Sequence, residues 1–548
     1  MWAVSTLIAR NGVSVMRQVG DSYKQRPVED SYDVIVIGSG MGGLTVAALL
    51  AKHAGKRVLV LERHYTAGGF THVFHRPGYE WDVGVHYVGR VNDPRSEVRA
   101  AFDHVTEGRL RWNPMPDVYD RIQIGDRRYD FPTGLERFRD RMKSYFPTER
   151  DAIDRYIAAV CAAAQASGPY FAEKALPRPI AGLIGAPMRA RFLRYADQTT
   201  AEVLGGLTRN PELIAVLAGQ WGDYGLPPGQ SSFGMHAIVA HHYFEGAAYP
   251  VGGASEIAAA IAPVIERAGG RIAVGAEVAE ILVNRNGAAG VRMADGRELR
   301  STIVISDAGA YNTYASLLPA DVSAGLNVLE ELDRLPPSGA HVCLYVGVRR
   351  DAGEPEFDAT NLWIYRDPDH DAGFARFSAD PNGAWPSLFI SSPSAKDPTF
   401  ARRYPGHSTI EVVAGTPYRW FERWADKRWK RRGTDYDEVK QTLAARLLGE
   451  LEHHVPATRG KIDYSELSTP LSTRHFVNYQ RGEIYGPAAV PARFRARALG
   501  ARTPIRNLYL TGQDACTSGV TGALFGGIIA ASAVVGRNLV SVASRPAA

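Results

Sequence analysis

The chain of 548 residues exceeds what one hydrophobic core serves at about 100 to 200 residues per domain, so at least two domains are expected. Hydrophobic residues at 45% and charged residues at 22% sit near the globular average, which excludes wholesale disorder and a coiled coil. A net charge of +5 over this length argues against a nucleic-acid binder, and Cys161, Cys343 and Cys516 are too scattered for a disulfide framework or a zinc site.

The chain opens with an apolar stretch, Trp2 to Ala9, that lacks a basic flank and a small-residue cleavage pattern, so residues 1–30 read as a tail or peripheral anchor rather than a signal peptide. No apolar run reaches the roughly 18 residues that a bilayer-spanning helix needs. Asp21 to Asp30 reads as a polar linker. From Asp33 come a short apolar run (VIVIG), a glycine turn, a helix from Leu44 to His53 and a second apolar run (RVLVLE), which together make a βαβ unit. Arg95 to about Ala166 reads as helical. The Pro/Gly-interrupted segment ALPRPIAGLIGAPMRARFLRY is basic and apolar at once, which is unusual for a core. A second α/β block spans Val251 to Ala308, with a helix from Glu256 to Ala268 and strand runs turned at Asn286-Gly287 and Asp295-Gly296. Within the mixed region 312–499, RWADKRWKRRG (Arg423 to Gly433) reads as a solvated helix face with tryptophan anchors. The C-terminal segment reads strand, Gly-rich loop, helix, and no solenoid repeat is present.

In GSGMGG, Gly38, Gly40 and Gly43 satisfy G-x-G-x-x-G between a strand and a helix, the context in which that motif holds a dinucleotide. A tight turn, a backbone without Cβ and a helix N-terminus converge there on a diphosphate. Glu62, 19 residues past Gly43, can accept hydrogen bonds from a ribose diol and would repel a 2′-phosphate, which leaves FAD or NAD. Two features favour FAD. Gly68 and Gly69 give a second glycine pair, and Gly512, Asp514, Gly519, Gly522, Gly526 and Gly527 crowd the last helix start, where backbone dipole suits an anionic reduced flavin. No second G-x-G-x-x-G follows a strand, so NAD(P)H enters only as an external reductant without its own domain, and the electron donor or acceptor stays open.

Taken together, DVIVIGSGMGGLTVAALLAKHAGKRVLVLERHYTAGGF, GDYGLPPGQSSFGMHAIVAHHYF, SPSAKDPTF and NLYLTGQDACTSGVTGALFGG resemble the phytoene desaturase-like flavoenzymes, specifically the retinol saturase branch. The resemblance covers about Tyr32 to Leu539. It implies an α/β protein with a Rossmann-like FAD-binding domain built from 31–110, 246–315 and 500–548, and an inserted mixed α+β substrate domain from 111–245 and 316–499. It further implies peripheral membrane association of a cytoplasmic protein, and reduction or isomerisation of polyene double bonds. By position it places FAD contacts on Gly38, Gly40, Gly42, Gly43, Glu62, Arg63, Gly68 and Gly69, on Val278 near the adenine, and on Asp514 and Thr521 near the flavin. Its D-x-G-x-H stretch falls on Asp82, Gly84 and His86, with His86 beside the ring system. No metal is implied.

Saturating a double bond needs hydride on one carbon and a proton on its neighbour, hence a positioned acid in a site without bulk water. Candidate acids are Asp223, Tyr224, His236, His241, His242 and Tyr485; with His86, we take Tyr224, His242 and Tyr485 as the catalytic set. Tyrosine stays neutral in an apolar pocket, whereas an ionised aspartate needs a partner or a raised pKa. The alternative role for Trp221, Tyr224, Phe233, Tyr243, Phe244 and Tyr485 is to line an apolar tunnel. Phe171 to Tyr195 pairs Leu176, Ile180, Leu183, Ile184, Phe192 and Leu193 with Lys174, Arg178, Arg189, Arg191 and Arg194, a composition suited to an anionic membrane surface. The leading expectation is a polyene saturase. A desaturase or cis/trans isomerase on the same fold is the enzymatic alternative, and a lipid carrier that kept the fold is the non-enzymatic one.

Overall fold

The computed structural model describes residues 18–351, 354 and 356–545, so the reading of Trp2 to Ala9 lies outside the described residues. The fingerprint strand is Ser31–Ile37, flanked in parallel by Val58–Glu62 and Glu298–Ser306. Arg271–Val274 extends one side, and Leu508–Leu510 adds to Glu298–Ser306, also in parallel. The Val/Ile/Leu runs are continuous because both faces of a parallel sheet are covered. Val34 and Val36 point to a core shared with helices Met41–Ala54, Glu256–Arg267 and Gly519–Val535. Ile35 and Ile37 point to the opposite core, closed by Tyr314, Leu318, Val328 and Leu332. The two expected hairpins are antiparallel pairs: Val278–Asn284 with Gly287–Met293, and Gly287–Met293 with Glu298–Ser306.

Three stretches fold otherwise than the local pattern indicates. Asp21–Ser22 is a strand paired with Ala273 and Val274, and Tyr23 N–H donates to Val274 O at 2.9 Å, so the linker is docked on the sheet edge. The region after Arg95 is helical only at Glu97–Thr106, Leu135–Tyr145 and Arg150–Glu173; between them lie strands Trp112–Pro114, Val118–Ile124 and Arg127–Pro132. The last two form a hairpin that joins Asn361–Tyr365, so a distant partner decides their conformation. The resulting seven-stranded sheet runs Ile462–Ser468, Ala340–Arg349, His407–Thr416, Ser387–Ser391, Asn361–Tyr365, Val118–Ile124, Arg127–Pro132. Arg423 to Gly433 is turn and 3-10 structure rather than a helix face, with Trp424 buried and Trp429 stacked on His475.

Glycine sets the distance between the fingerprint helix and its neighbours. A Cβ at Gly42 would lie 2.4 Å from the Gly512 backbone, and one at Gly527 would lie 2.5 Å from Thr45 Cβ. Side chains cannot enter this seam. Gly527→Ala is expected to cost about 1–3 kcal/mol through overpacking, whereas Gly449→Ala, on an exposed helix where a Cβ meets nothing within 4 Å, is neutral or stabilising by about 0.4–1 kcal/mol. Scanning calorimetry of the two variants tests this; equal Tm values would refute the packing argument.

Candidate functional site

A narrow trough of about 220 Å³ runs along the carboxyl ends of the parallel strands. Gly38, at φ 94°, turns the chain out of its strand while its N–H donates to Leu61 O at 2.9 Å. Only glycine adopts this conformation without strain. Gly69 comes so close that a Cβ there would stand 3.0 Å from Gly40 Cα. Glu62 Oε2 accepts from Ser39 N–H at 2.9 Å and Ser39 Oγ at 2.7 Å, and Oε1 accepts from His64 N–H at 2.8 Å, which fixes the carboxylate at the trough wall. Arg63 donates to His475 O, and Val278 lies further along. Asp514 is buried and accepts from Ala310 N–H at 2.8 Å; burial raises its pKa.

Beneath the fingerprint turn sits Asp307, at the end of strand Glu298–Ser306. Its carboxylate lies within 3 Å of where Cβ atoms would stand at Gly40, Gly42, Gly43 and Gly512. The N–H groups of Gly43 and Gly40 reach it, yet burial prevails and pushes its pKa up to about 7. Buried hydroxyls of Thr511, Ser518 and Thr521 lack a partner and line the trough or the adjoining cavity. A cradle of glycines, a fixed carboxylate and unpartnered hydroxyls fit an extended dinucleotide with a ring at the inner end.

That inner end opens into a cavity of about 970 Å³. Phe70, Gly84, Val85, Ile484, Tyr485, Gly519 and Val520 belong to both spaces. Helix Arg150–Glu173, helix Phe233–Tyr243 and the seven-stranded sheet form the remaining walls, through residues such as Phe171, Val239, Trp363 and Phe389. The lining is mainly apolar, with a few polar side chains, the usual composition of a site for a lipophilic molecule.

Behind His86 in the cavity wall lies a buried charge cluster. Lys396 Nζ donates to His86 O at 2.9 Å, Asn361 Oδ1 at 2.5 Å and Ser391 Oγ at 2.6 Å. Burial pulls its pKa down to about 8, against the nearby acids. Glu411, buried in strand His407–Thr416, is pushed up to about 8 by burial, and Asp82 reaches about 8 through burial and the Glu411 charge. His86 Nδ1 lies 2.8 Å from Glu411 Oε2 without in-line hydrogen-bond geometry, and burial and Lys396 lower its pKa to about 4. The imidazole is therefore neutral near pH 7.

Of the sequence-derived catalytic candidates, His86, His242 and Tyr485 line the cavity and Tyr224 does not. Tyr224 turns into the core, its hydroxyl 3.1 Å from His236 Nδ1, whose Nε2 meets the Tyr156 hydroxyl at 2.9 Å. His242 Nε2 accepts from Gly89 N–H at 2.9 Å, and burial lowers its pKa to about 3. Trp221, Tyr243 and His241 also face the cavity; Phe233, Phe244 and His236 do not. The cofactor candidates Gly38, Gly40, Glu62, Arg63, Gly68, Gly69, Val278 and Asp514 line the trough and Thr521 lines the cavity, while Gly42 and Gly43 pack behind against Gly512, Gly38 and Asp307. Sequence reasoning missed Tyr87, Asp120, Asp307, Lys396 and Glu411. The available signals were a carboxylate inside the apolar run TIEVVAG and an aspartate closing the strand TIVIS.

Comparison with known proteins agrees with this geometry. A family profile described as an NAD(P)-binding Rossmann-like domain matches residues 36–105. Cyclohexylamine oxidase from Brevibacterium oxydans IH-35A shares the fold, with a TM-score of 0.59 over 94% of this chain and 98% of that one at 17% identity. All-trans-retinol 13,14-reductase of Danio rerio is 39% identical over 534 residues, 93% of this chain and 87% of its own. Prolycopene isomerase 2, chloroplastic, of Oncidium hybrid cultivar is 28% identical over 526 residues, 92% of this chain and 84% of its own. Fold and trough define a protein of the Rossmann-like dinucleotide-binding class. Within that class the chain belongs to the all-trans-retinol 13,14-reductase family.

Asp307 supplies a test of the trough's electrostatics. A carboxyl whose folded pKa is about 7 retains its proton where the unfolded chain has lost it, so its contribution to stability falls as pH rises from about 4 to about 7. Asp307→Asn removes that contribution. In ligand-free protein, Tm of the variant relative to wild type is expected to climb across this window; a pH-independent difference would show that the Asp307 carboxyl is not perturbed.

Proposed function

We propose that the protein is an FAD-dependent oxidoreductase that saturates a carbon-carbon double bond of a retinoid, carotenoid or related lipophilic polyene. The observation that carries this reading is the junction of a dinucleotide trough with a large apolar cavity, in a chain 39% identical to a reductase of all-trans-retinol. Bound flavin would supply hydride to the double bond. The chain's own residues do the rest. Glu62 offers its remaining lone pairs to a ribose diol, the glycine backbone at Gly38, Gly40, Gly68 and Gly69 admits a diphosphate, and Val278 borders the adenine. Asp514 and Thr521 would stand near the ring, and His86 faces the polyene as a neutral imidazole. The apolar walls exclude water and align an extended chain across the junction.

The same junction suits a desaturase or a cis/trans isomerase, a reading favoured by the identity to prolycopene isomerase 2. Anaerobic reduction of the protein-bound flavin, followed by all-trans-retinol or a longer polyene, separates the outcomes. Stoichiometric flavin reoxidation with a dihydro product is expected. A rearranged polyene over persistently reduced flavin would give the isomerase. A purified protein that is colourless and stays apo after FAD addition would overturn both, and Glu62→Arg is expected to reduce flavin retention sharply.

Peripheral membrane contact belongs to the same proposal. Among the described residues, no helix is long and apolar enough to cross a membrane. Helix Arg178–Ala196 nevertheless exposes Ile180, Leu183 and Ile184, with Leu183 at 83%, beside exposed Arg191 and Arg194. Lys174 and Arg189, which the sequence groups with that basic set, turn inward, to Leu499 O and Glu173. The helix packs on Arg150–Glu173, whose Phe171 and Ala172 line the cavity. Apolar knobs with adjacent cations would seat this face in anionic lipid and bring the cavity to the source of its substrate. Leu183→Glu with Ile184→Glu is expected to abolish co-sedimentation with phosphatidylserine-containing vesicles and leave flavin content unchanged; unchanged sedimentation would refute this contact.

A further inference from the structure

Tyr87 joins two carboxylates, Asp120 fully buried and Asp223 half-buried at the cavity wall. Its hydroxyl lies 3.0 Å from Asp120 Oδ2 and 3.1 Å from Asp223 Oδ2, and it has one proton to give. The other contacts decide which carboxylate receives it. Asp120 is surrounded by donors: Asn361 Nδ2 at 2.9 Å, Gln220 Nε2 at 2.8 Å and Trp363 Nε1 at 3.1 Å. The indole N–H can only donate. Lys396 settles the orientation of Asn361, because an ammonium donating to Oδ1 leaves the amide NH₂ for Asp120. Asp120 thus accepts from every side; burial raises its pKa, and these donors pull it back toward the charged form.

Asp223 has no such shell. Its hydrogen bond is the one with Tyr87, and it makes no ion pair among the described residues. Were it ionised as well, a carboxylate oxygen would face a hydroxyl lone pair at 3.1 Å beside a second anion. A proton on Asp223 removes that conflict: the carboxyl donates to Tyr87 Oη, and Tyr87 donates to Asp120. The other titratable groups around it, Tyr119, Tyr224, Tyr243, Tyr365 and Tyr485, are neutral tyrosines held above their ordinary range mainly by burial. Burial and the Asp120 charge likewise lift Asp223 well above the usual carboxylate range.

Position completes the argument. Asp223 ends the 3-10 turn Trp221–Asp223 and lines the cavity, whereas its chain neighbour Tyr224 faces the core. Two residues on, a Cβ at Gly225 would stand 3.1 Å from the ring of Tyr485, which borders both trough and cavity. The acid therefore flanks the junction.

We propose that Asp223, held as a neutral carboxylic acid in the cavity wall by the Tyr87–Asp120 pair, is the proton donor for double-bond saturation. This rests on the saturase reading above. As hydride from reduced flavin forms a C–H bond at one alkene carbon, the π pair takes the Asp223 proton at the neighbouring carbon. The alkene gains two hydrogens and two electrons, the flavin is oxidised, and Asp223 is left as a carboxylate that water reprotonates once product has left. Asp120 and Tyr87 act as positioning residues.

The test compares wild type with Asp223→Asn in flavin-loaded protein. At pH 7, before substrate is added, the wild-type infrared spectrum should carry a protonated-carboxyl band that shifts in D₂O and is missing from the variant. In anaerobic single turnover with all-trans-retinol, the variant should form dihydro product about 100-fold or more slowly. An unchanged band or an unchanged rate overturns the assignment of Asp223 while leaving the saturase reading intact; no dihydro product from wild type overturns the saturase reading and this role together. Should Asp223→Asn not fold, Asp120→Asn carries the test: without the neighbouring anion, the pH at which saturation declines should move lower, and an unmoved decline overturns the proposal.

Discussion

The arrangement turns on one buried carboxyl group and the glycines that make room for it. Asp307 comes from the end of strand Glu298–Ser306, and the fingerprint turn, the fingerprint helix and the loop after Leu508–Leu510 all close on its carboxylate where no Cβ intervenes. Three chain segments far apart in sequence are thereby brought to a common point. The helix N-terminus offsets part of the carboxylate's desolvation, and burial raises its affinity for a proton by the remainder. The trough inherits its narrowness from this seam, and the cavity inherits its inner end from the trough.

The cavity wall and the layer behind it follow a different electrostatic rule. An apolar chamber tolerates ionisable groups when they are neutral or densely hydrogen-bonded. His86 and His242 are held neutral by burial, and Asp120 is held by donors. Lys396 spends all three donors on named acceptors, including the amide that faces Asp120. Glu411 and Asp223, which lack such a shell, and Asp82, whose hydrogen bonds from Tyr249 and Ala254 do not offset its burial, have pKa values raised out of the ordinary carboxylate range.

What the sequence reveals here is what short-range chemistry encodes. Gly38, Gly40, Gly43 and Glu62 are legible because strand, turn, helix and carboxylate lie within one βαβ unit, and the Asn286-Gly287 and Asp295-Gly296 turns mark their hairpins directly. Relations made through space are not legible. The hairpin Val118–Ile124 with Arg127–Pro132 takes its conformation from Asn361–Tyr365, and Asp307 gains its meaning from Gly42 and Gly512. Asp223 and Tyr224 are adjacent and equally plausible acids by residue type, yet a single 3-10 turn sends one into the cavity and the other to His236. Glu411 and Lys396 carry local hints of burial, but their partners come from other strands.

The wall shared by trough and cavity, from Phe70 and Val85 to Tyr485 and Gly519, makes the two compartments thermodynamically dependent. A ring at the inner end of the trough becomes a surface of the cavity, so a lipophile meets a different enclosure in the loaded protein than in the empty one. Whatever factor the nucleotide adds to the affinity for the lipophile, the lipophile must return to the affinity for the nucleotide. Filling either compartment therefore tightens or loosens binding in the other by one shared coupling free energy, and the affinity for the cofactor becomes a reporter of what occupies the cavity.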